Sequence, residues 1–385
     1  MTDIDKRHIA IAQPMMGEEE WRALRAPIMS GWVTQGPKVA EFEQRFAKQH
    51  QVEYALAVTS CTTALHLILA GLGCGPEDEV IVPSFTWIST ANAVLYCGAQ
   101  PILVDVDPET FNIDVNAVRS AITPRTKAVV AVHLFGRCAQ IEELRSLLPD
   151  HIHIVEDAAC AAGAKTGRGF AGSLGDAAAF SFHPRKSITT GEGGMITTND
   201  AALADLLVQL RNHGATISEA QRHHGPRPYT LPDFNLLGYN YRMTDLQGAL
   251  GCVQITKLAS FIEERAHWAS YYREALSDIE CLQMPEEPSE GRHSWQSFTT
   301  LVRPEVAPIP RNELMEALQA RGVSTRPGTH AIHMLNYYRE RYGYQPQDLP
   351  GAQRCHEHSM ALPLHNRMSE ADYHYVVSQL RAILI

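Results

Sequence analysis

Apolar and polar positions alternate along the first half of the chain in a pattern typical of a sheet covered by helices. From about residue 53, short apolar runs rich in β-branched residues are separated by longer runs with helical periodicity. The predicted strands are residues 53–58, 78–85, 101–107, 127–135 and 151–159, and the clearest helices are residues 62–72 and 87–98. This order predicts an α/β fold with a mostly parallel central sheet and helices on both faces. Ligands of such sheets bind beyond the carboxyl ends of the strands, which is where candidate residues are sought.

The pattern changes in the last third of the chain. Thr244 and Gln247 form a capping-box sequence, and an apolar-periodic stretch follows to about Ile279. The elements predicted after this long helix are a strand at residues 294–302 and helices at residues 311–321 and 369–384. We therefore expect a large domain at residues 1–245 and a smaller α+β domain at residues 246–385. The N-terminal segment of the large domain is expected to pack on the smaller one.

Composition and charge narrow the classes of function. Of 385 residues, 45% are hydrophobic and 20% are charged, which excludes a disordered or fibrous protein. The 33 Lys and Arg residues against 43 Asp and Glu residues give a formal net charge of −10, so nucleic acid is not expected as a partner. No signal peptide is recognisable, and no apolar run approaches the roughly 18 residues that a membrane span needs. We expect no membrane partner.

The cysteines and histidines predict neither disulfides nor a metal site. Eight cysteines are scattered along the chain without a Cys-x-x-Cys pair, which favours reduced thiols and a cytoplasmic location. His151 with His153, His330 with His333, and residues 355–358 are the clusters of metal-ligand types. None of them has the spacing of a known metal site, so no metal is predicted.

Two residues near predicted strand ends have the chemistry of a Schiff-base site. Lys186 lies in a Gly-rich loop after the apolar run 176–182. Partial burial would lower the pKa of Lys186 and favour the neutral amine that forms Schiff bases, although a solvated loop lysine remains the alternative. Asp157 lies near the end of the strand at 151–159. Its carboxylate suits the pyridine nitrogen of pyridoxal phosphate (PLP), and the alternative is a cap for a following helix.

Two further strand-to-helix junctions supply the other parts of such a site. Residues 60–65, Ser-Cys-Thr-Thr-Ala-Leu, offer backbone N–H groups and hydroxyls for a phosphate, although Ser and Thr also cap many helices. Trp87 could stack on a flat ring or belong to the core. Each feature alone is ambiguous. In chain order, however, a phosphate cradle, an aromatic ring, a carboxylate and a lysine occur at successive strand ends, which predicts a PLP site.

The segments around these residues resemble the DegT/DnrJ/EryC1/StrS family of PLP-dependent sugar aminotransferases over nearly the whole chain. The most specific motif is SFHPRKSITTGEGG, residues 181–194, around the lysine. The other similar segments are residues 31–47, 83–107, 156–164, 237–251 and 326–365. The resemblance implies the aspartate-aminotransferase type of fold, PLP-dependent transferase fold type I. This agrees with the two-domain pattern and makes the large domain the PLP-binding one.

Carried over position by position, the resemblance assigns roles to residues of this chain. It makes Lys186 the lysine that binds PLP, pairs Asp157 with the pyridine nitrogen, and stacks Trp87 on the ring. The phosphate-binding residues that it implies are Cys61, Thr62, Ser181 and, from a neighbouring subunit, Asn240. A homodimer with active sites shared across the interface is therefore implied.

Two cysteines depart from the pattern of the family. The family commonly has Gly where this chain has Cys61, and Gln or His where it has Cys160. The first difference matters little if the backbone N–H group is the phosphate donor. The second replaces a hydrogen bond to the phenolic oxygen of PLP by a weakly bonding thiol, and it predicts that Cys160 lies beside the cofactor.

The resemblance also implies a reaction. An amino donor, expected to be L-glutamate, would give its nitrogen to a keto-sugar. The acceptor favoured by the resemblance is a nucleotide-linked keto-hexose, and pyridoxamine phosphate would be the intermediate form of the cofactor. The blocks that could approach the substrates contain Thr34, Gln35, Arg326, His330 and His333, although each could equally have a surface or domain-interface role.

The sequence leaves other functions open, both among the aminotransferases and outside them. The acceptor could be a keto-cyclitol of an antibiotic-type pathway. A PLP-dependent sugar dehydratase is disfavoured because that branch of the family typically has histidine at the position of Lys186. A PLP-binding regulator is disfavoured by the presence of both Asp157 and Lys186. A Rossmann oxidoreductase is excluded because no strand is followed by Gly-x-Gly-x-x-Gly.

Overall fold

The computed structural model describes residues 7–217 and 229–385. In this part of the chain the strands are β1 (Tyr54–Val58), β2 (Glu79–Pro83), β3 (Phe85–Thr86), β4 (Gln100–Val104), β5 (Thr126–Val132), β6 (His153–Asp157), β7 (Ala177–Ser181), β8 (Gly194–Thr198), β9 (Leu282–Gln283), β10 (Phe298–Val302), β11 (His330–Ala331) and β12 (Ser359–Leu362). Seven of them form the central sheet in the order β1-β8-β7-β6-β5-β2-β4. Only β8 runs antiparallel to its neighbours in this sheet. The predicted α/β fold with a mostly parallel sheet is confirmed.

Helices cover both faces of the central sheet. In the described residues the α-helices are Glu18–Ala23, Arg25–Ser30, Pro37–His50, Cys61–Gly71, Ser89–Tyr96, Val115–Ala121, Ile141–Leu147, Ala201–Leu210, Asp245–Ala275, Arg311–Ala320, Asn336–Tyr342, Pro350–His358 and Glu370–Leu384. Side chains of β1 alternate between the two faces, because Leu56 packs in the cluster of helix Cys61–Gly71 whereas Ala57 packs in the cluster of helix Pro37–His50. The strands are therefore apolar on both sides, as expected for a covered parallel sheet.

The long helix Asp245–Ala275 connects the central sheet to the rest of the chain. Thr244 caps its start, with its side chain accepting a hydrogen bond from the Gln247 N–H group in the predicted capping box. A Cβ atom at Gly248 would lie 2.6 Å from the backbone nitrogen of Val39, so glycine allows helix Pro37–His50 to approach closely. The helix ends four residues before the predicted end at Ile279. A short turn, in which the Ile279 N–H group donates to the Leu276 carbonyl at 3.1 Å, replaces the last predicted helical turn.

A second, smaller sheet lies after the long helix. It consists of β12, β10 and β9 in that order, and both pairings are antiparallel. The end of the long helix, helix Arg311–Ala320 and helix Glu370–Leu384 share an apolar cluster with this sheet. Ile9 joins the same cluster and forms a bridge with Val323. The N-terminal segment thus packs on the C-terminal unit.

A third pairing ties the C-terminal part of the chain to the central sheet. β11 pairs antiparallel with β3, which places His330 opposite Thr86. Ile332 and Tyr338, which follow β11, are fully buried in the cluster that covers the central sheet. Part of the segment that the sequence assigns to the smaller domain therefore packs on the large sheet. This contact brings the C-terminal region next to the segment that carries Trp87.

Candidate active site

The carboxylate of Asp157 lies at the carboxyl end of β6 and is buried. Its Oδ2 atom accepts a hydrogen bond from the Thr90 hydroxyl at 2.8 Å, and its Oδ1 atom accepts one from the Ala159 N–H group at 3.2 Å. The thiol of Cys61 donates to the same Oδ1 atom at 3.8 Å. These contacts hold the carboxylate at the strand end where ligands of parallel sheets bind. Sequence reasoning missed Thr90, which has no signal apart from its place one turn after Trp87.

Glu156, the residue before Asp157, has a different role. Its carboxylate is fully buried and accepts hydrogen bonds from the N–H groups of Gly172, Leu174 and Gly175 at 2.7–2.8 Å. It also lies 2.7 Å from Nε2 of His133. Successive side chains of a strand point to opposite faces, so Glu156 fastens β6 to the loop before β7. This alternation is the sequence signal that distinguishes Glu156 from Asp157.

The amine of Lys186 lies 3.2 Å from the sulfur of Cys160. The loop that carries Lys186 is fixed by backbone hydrogen bonds from Lys186 to the His183 carbonyl and from Thr190 to the Phe182 carbonyl. Burial lowers the pKa of Lys186, but its acidic neighbours Cys160, Cys61 and Asp157 together raise the pKa above its ordinary value. The expected lowering by burial is therefore outweighed. Burial and the Asp157 carboxylate raise the pKa of the Cys61 thiol well above its usual range.

Hydroxyl groups gather at the start of helix Cys61–Gly71. The Thr62 hydroxyl donates to the hydroxyl of Ser89 at 2.9 Å, which joins the beginnings of two helices. The first N–H groups of a helix have no partner within it and attract an anion. β8 approaches closely, because a Cβ atom at Gly194 would lie 2.7 Å from the backbone nitrogen of Cys61. Ser181 lies at the end of the adjacent strand β7.

Trp87 presents an exposed ring beside these groups. The side chain is 60% exposed although it follows the buried strand β3. Its ring centroid lies 5.7 Å from that of His330, with an angle of 45° between the rings. Because β11 pairs with β3, His330 is held next to Trp87 by the backbone. An exposed indole at this place is suited to cover a flat ring.

The other four predicted substrate residues have different surroundings. The carbonyl groups of Thr34 and Gln35 accept hydrogen bonds from the Asp245 N–H group and the Trp32 indole, both at 3.1 Å. Arg326 is exposed, and its guanidinium donates to the Thr325 carbonyl at 2.8 Å. His333 is fully buried between two partners: Nδ1 lies 2.7 Å from the Ser84 hydroxyl, and Nε2 lies 3.0 Å from the Pro346 carbonyl. His333 therefore joins two segments, and we leave it out of the proposed substrate site.

Asn240 is exposed and lies on the segment before the long helix. Its backbone forms a bridge with Asn212. Large apolar side chains nearby in sequence are exposed: Leu231 by 78%, Phe234 by 58% and Leu237 by 90%. These exposed apolar side chains come from one short segment, which makes it a candidate interaction surface.

The groups at this site fit the chemical parts of PLP. A helix start with hydroxyls suits its phosphate, a fixed carboxylate suits its pyridine nitrogen, an exposed indole suits its ring, and a lysine amine suits its aldehyde. Within residues 7–217 and 229–385, no group of three or more His, Cys, Asp or Glu residues is placed to hold a metal ion. None of the described helices has the length and apolar character needed to cross a lipid bilayer.

Comparison with known proteins leads to the same chemistry. Residues 14–381 match the DegT/DnrJ/EryC1/StrS aminotransferase family. The spore coat polysaccharide biosynthesis protein SpsC of Bacillus subtilis is 36% identical over 373 residues, which cover 96% of each chain. GDP-perosamine synthase of Caulobacter vibrioides is 37% identical over 388 residues, which cover 100% of each chain.

The fold is shared with solved structures. The PLP form of Spr1654 from Streptococcus pneumoniae superposes with a TM-score of 0.90 at 26% sequence identity, and the match covers 98% of each chain. The large sheet with its single antiparallel strand and the smaller C-terminal sheet thus form a PLP-dependent transferase fold. The chain belongs to the DegT/DnrJ/EryC1/StrS aminotransferase family and is a PLP-dependent aminotransferase.

Proposed function

We propose that this aminotransferase moves an amino group from L-glutamate to a nucleotide-linked keto-hexose by a ping-pong mechanism. The observation that supports the proposal most directly is that an amine and a carboxylate lie close enough to interact electrostatically. Lys186 presents its amine beside Cys160, while Asp157 presents a carboxylate whose position is fixed by Thr90. The ping-pong scheme implies pyridoxamine phosphate as the nitrogen carrier between the two half-reactions.

Each residue of the pocket has a task in this scheme. Bound PLP supplies a Schiff-base carbon and a ring that accepts electrons. Asp157 would hold a proton on the pyridine nitrogen of the bound cofactor, and Trp87 would cover its ring. The start of helix Cys61–Gly71, with Thr62 and Ser181, would hold the phosphate. Lys186 is the general base that takes the proton from the α-carbon of the amino donor, and it returns a proton as general acid.

The names of two relatives support a sugar acceptor. One relative is a GDP-perosamine synthase, whose product carries a nucleoside diphosphate, and the other acts in spore coat polysaccharide biosynthesis. Both cover at least 96% of this chain. A keto-cyclitol is the second candidate acceptor within the same reaction class. For the sugar contact we retain His330, because its ring lies beside Trp87. Further candidates are the exposed residues Thr34 and Arg326 and the half-buried Gln35.

A spectral experiment tests the proposal. The purified protein is expected to show visible absorbance from the lysine-bound cofactor. L-glutamate should remove this absorbance and release an equivalent amount of 2-oxoglutarate, because the first half-reaction runs without an acceptor. A panel of nucleotide-linked keto-hexoses and keto-cyclitols is then added to find which ketone restores the absorbance. Absence of any change with every amino donor tested would overturn the aminotransfer reaction.

The proposed active form is a homodimer in which Asn240 of one copy reaches the phosphate site of the other. The exposed side chains of Leu231, Phe234 and Leu237 near Asn240 support a surface that a second copy covers. Leu237→Asp should shift the protein toward the monomer in analytical ultracentrifugation, because a buried, unpaired carboxylate opposes association. Glu109→Gln serves as a control on another exposed loop residue. A wild-type protein that sediments as a monomer would contradict the shared site.

A further inference from the structure

Gln254 is a buried glutamine on the long helix, and its amide joins the N-terminal segment to the loop that carries Lys186. Its Oε1 atom accepts a hydrogen bond from the N–H group of Thr189 at 3.2 Å. Its Nε2 atom donates to the Glu20 carboxylate at 2.8 Å and to the Met15 carbonyl at 3.0 Å. Both N–H bonds of the amide and its oxygen are therefore used. A buried amide engaged in this way fixes its partners relative to one another.

The contact with Thr189 completes the hydrogen bonding of the lysine loop, residues 182–191. Within this loop the Thr189 hydroxyl donates to the Phe182 carbonyl at 2.7 Å, which closes the loop on itself. Thr189 is buried, and its N–H group donates outside the loop, to Gln254. A buried N–H group that loses its partner is costly, so the loop would have to move if the amide were removed. Gln254 therefore holds the loop three residues after Lys186.

Glu20 determines which way round the amide of Gln254 lies. The carboxylate of Glu20 is buried and also accepts hydrogen bonds from the Lys257 amine at 2.6 Å and the Gly17 N–H group at 2.8 Å. Burial raises the pKa of Glu20, but the hydrogen bonds from Lys257, Gln254 and Gly17 outweigh it and hold the pKa below its ordinary value. Glu20 is therefore an ionised acceptor at neutral pH. It requires Nε2 of Gln254 on its side and leaves Oε1 for Thr189.

We propose that Gln254 is a positioning residue for Lys186, and that Glu20 acts on Lys186 through Gln254. In the proposed reaction the lysine amine must reach both the aldehyde of PLP and the proton of the amino donor, and small displacements of reacting groups lower rates steeply. The amide of Gln254 limits where the lysine loop can lie, and the N-terminal helix Glu18–Ala23 fixes that amide. The inference rests on the proposed function, because it concerns the lysine that moves the proton there.

The reaction of full-length, cofactor-free protein with PLP tests the positioning. The visible absorbance of the lysine-bound cofactor is followed after mixing, and its dependence on PLP concentration separates initial binding from bond formation with Lys186. Gln254→Met should slow bond formation at saturating PLP by about tenfold or more, because the loop that carries the amine is displaced. The half-saturating PLP concentration should stay within about threefold, since the proposed phosphate site is unchanged.

Tyr272→Phe is the matched control for a lost hydrogen bond on the same helix. The Tyr272 hydroxyl is buried and donates to the Pro363 carbonyl at 2.9 Å, in the apolar cluster of the C-terminal unit. This variant should keep the wild-type rate of bond formation within about twofold, because general loss of packing does not move the lysine loop. Equal rates in Gln254→Met and Tyr272→Phe overturn the proposal.

A double-mutant cycle tests the path from Glu20 to the lysine loop. Glu20→Met alone should slow bond formation by about threefold or more, because Gln254 loses the acceptor that orients it. In the protein with both Glu20→Met and Gln254→Met, the rate should match that of Gln254→Met within about twofold, since Glu20 acts only through the amide. Effects that multiply overturn the proposal.

Two features keep this test decisive. If Gln254→Met does not fold, Glu20→Met is measured by itself, and an unchanged rate of bond formation overturns the proposal. The reaction needs PLP but neither an amino donor nor a ketone. A protein that is inactive with every amino donor would therefore overturn the proposed function, whereas the rates with PLP would still decide the role of Gln254.

Discussion

Glu156 and Asp157 are neighbours on β6, both are buried, and they face opposite sides of the central sheet. Glu156 has four hydrogen-bond partners for the roughly four acceptor sites of a carboxylate: three N–H groups and His133. Asp157 has two strong donors, Thr90 and the Ala159 N–H group, and one weak donor, Cys61. Burial and residue type therefore do not separate a structural carboxylate from a functional one. The difference is that Asp157 keeps acceptor capacity, which we propose a ligand uses.

The largest effect is expected at Lys186, the residue that we propose moves the proton. Lys186→Ala should reduce turnover by about 10⁴-fold, the upper end of what a general acid–base group contributes. Some cofactor should remain bound through the phosphate site and Asp157. Turnover is measured with L-glutamate and the best ketone from the panel. Lys165→Ala, an exposed lysine, is the control and should retain full turnover. Many turnovers by the Lys186→Ala protein would contradict the assignment.

Asp157→Asn should reduce kcat by about 10²- to 10³-fold, because a neutral amide no longer stabilises the protonated pyridine nitrogen. The substitution keeps the shape of the side chain and the bond from Thr90, so the free energy of unfolding should change by less than about 1 kcal/mol. Steady-state kinetics and urea unfolding of the same preparation check both values. A variant with normal kcat would place the functional carboxylate elsewhere.

Glu156→Gln should have the opposite effects, a large loss of stability and little change in kcat. The amide would direct N–H groups at backbone donors, and the buried contact with His133 would lose its charge, so the free energy of unfolding should fall by about 3 kcal/mol. The kcat of the folded fraction should change by less than about threefold. Urea unfolding measures the loss of stability. Should kcat fall as far as in Asp157→Asn while stability is retained, the division of roles along β6 would be wrong.

The smallest effect is expected at the partner of Asp157. Thr90→Val removes the hydroxyl that donates to Oδ2 without a large change in volume, so kcat should fall by about tenfold, equivalent to about 1.4 kcal/mol. Thr90→Ser keeps the hydroxyl and serves as the matched control. The ratio of the two kcat values measures the contribution of the hydrogen bond. A ratio near one would mean that the backbone alone positions Asp157.

The sequence predicted the fold class and the lysine loop because those signals are local. β-branched runs indicate the strands of the central sheet, and the segment around Lys186 resembles the motif of one family over consecutive residues. The antiparallel direction of β8 was not predicted, because strand direction depends on the path of the chain rather than on apolar pattern. The pairing of β11 with β3 joins segments more than 240 residues apart, so no local sequence pattern predicts it.

The residues of the candidate site divide in the same way, because only some of them have a local signal in the sequence. Asp157 and Lys186 come from strand ends and motifs, whereas Thr90 and Ser89 are recognisable only from the side chains that they contact. For His333 the sequence left a substrate contact and a domain-interface role open, and the side chain lies fully buried between Ser84 and Pro346. Sequence gives the residue type and its element, and tertiary packing decides which way the side chain faces.

The pairing of β3 with β11 has a consequence for protein engineering. β11, which contains His330, pairs with the two residues that precede Trp87, so the segment around Trp87 and this part of the C-terminal region form one structural unit. A chimera that takes only its C-terminal third from a relative would pair the β11 of one protein with the β3 of another. To exchange the acceptor preference between relatives, residues 83–90 and residues 326–334 should therefore be transferred together from the same relative.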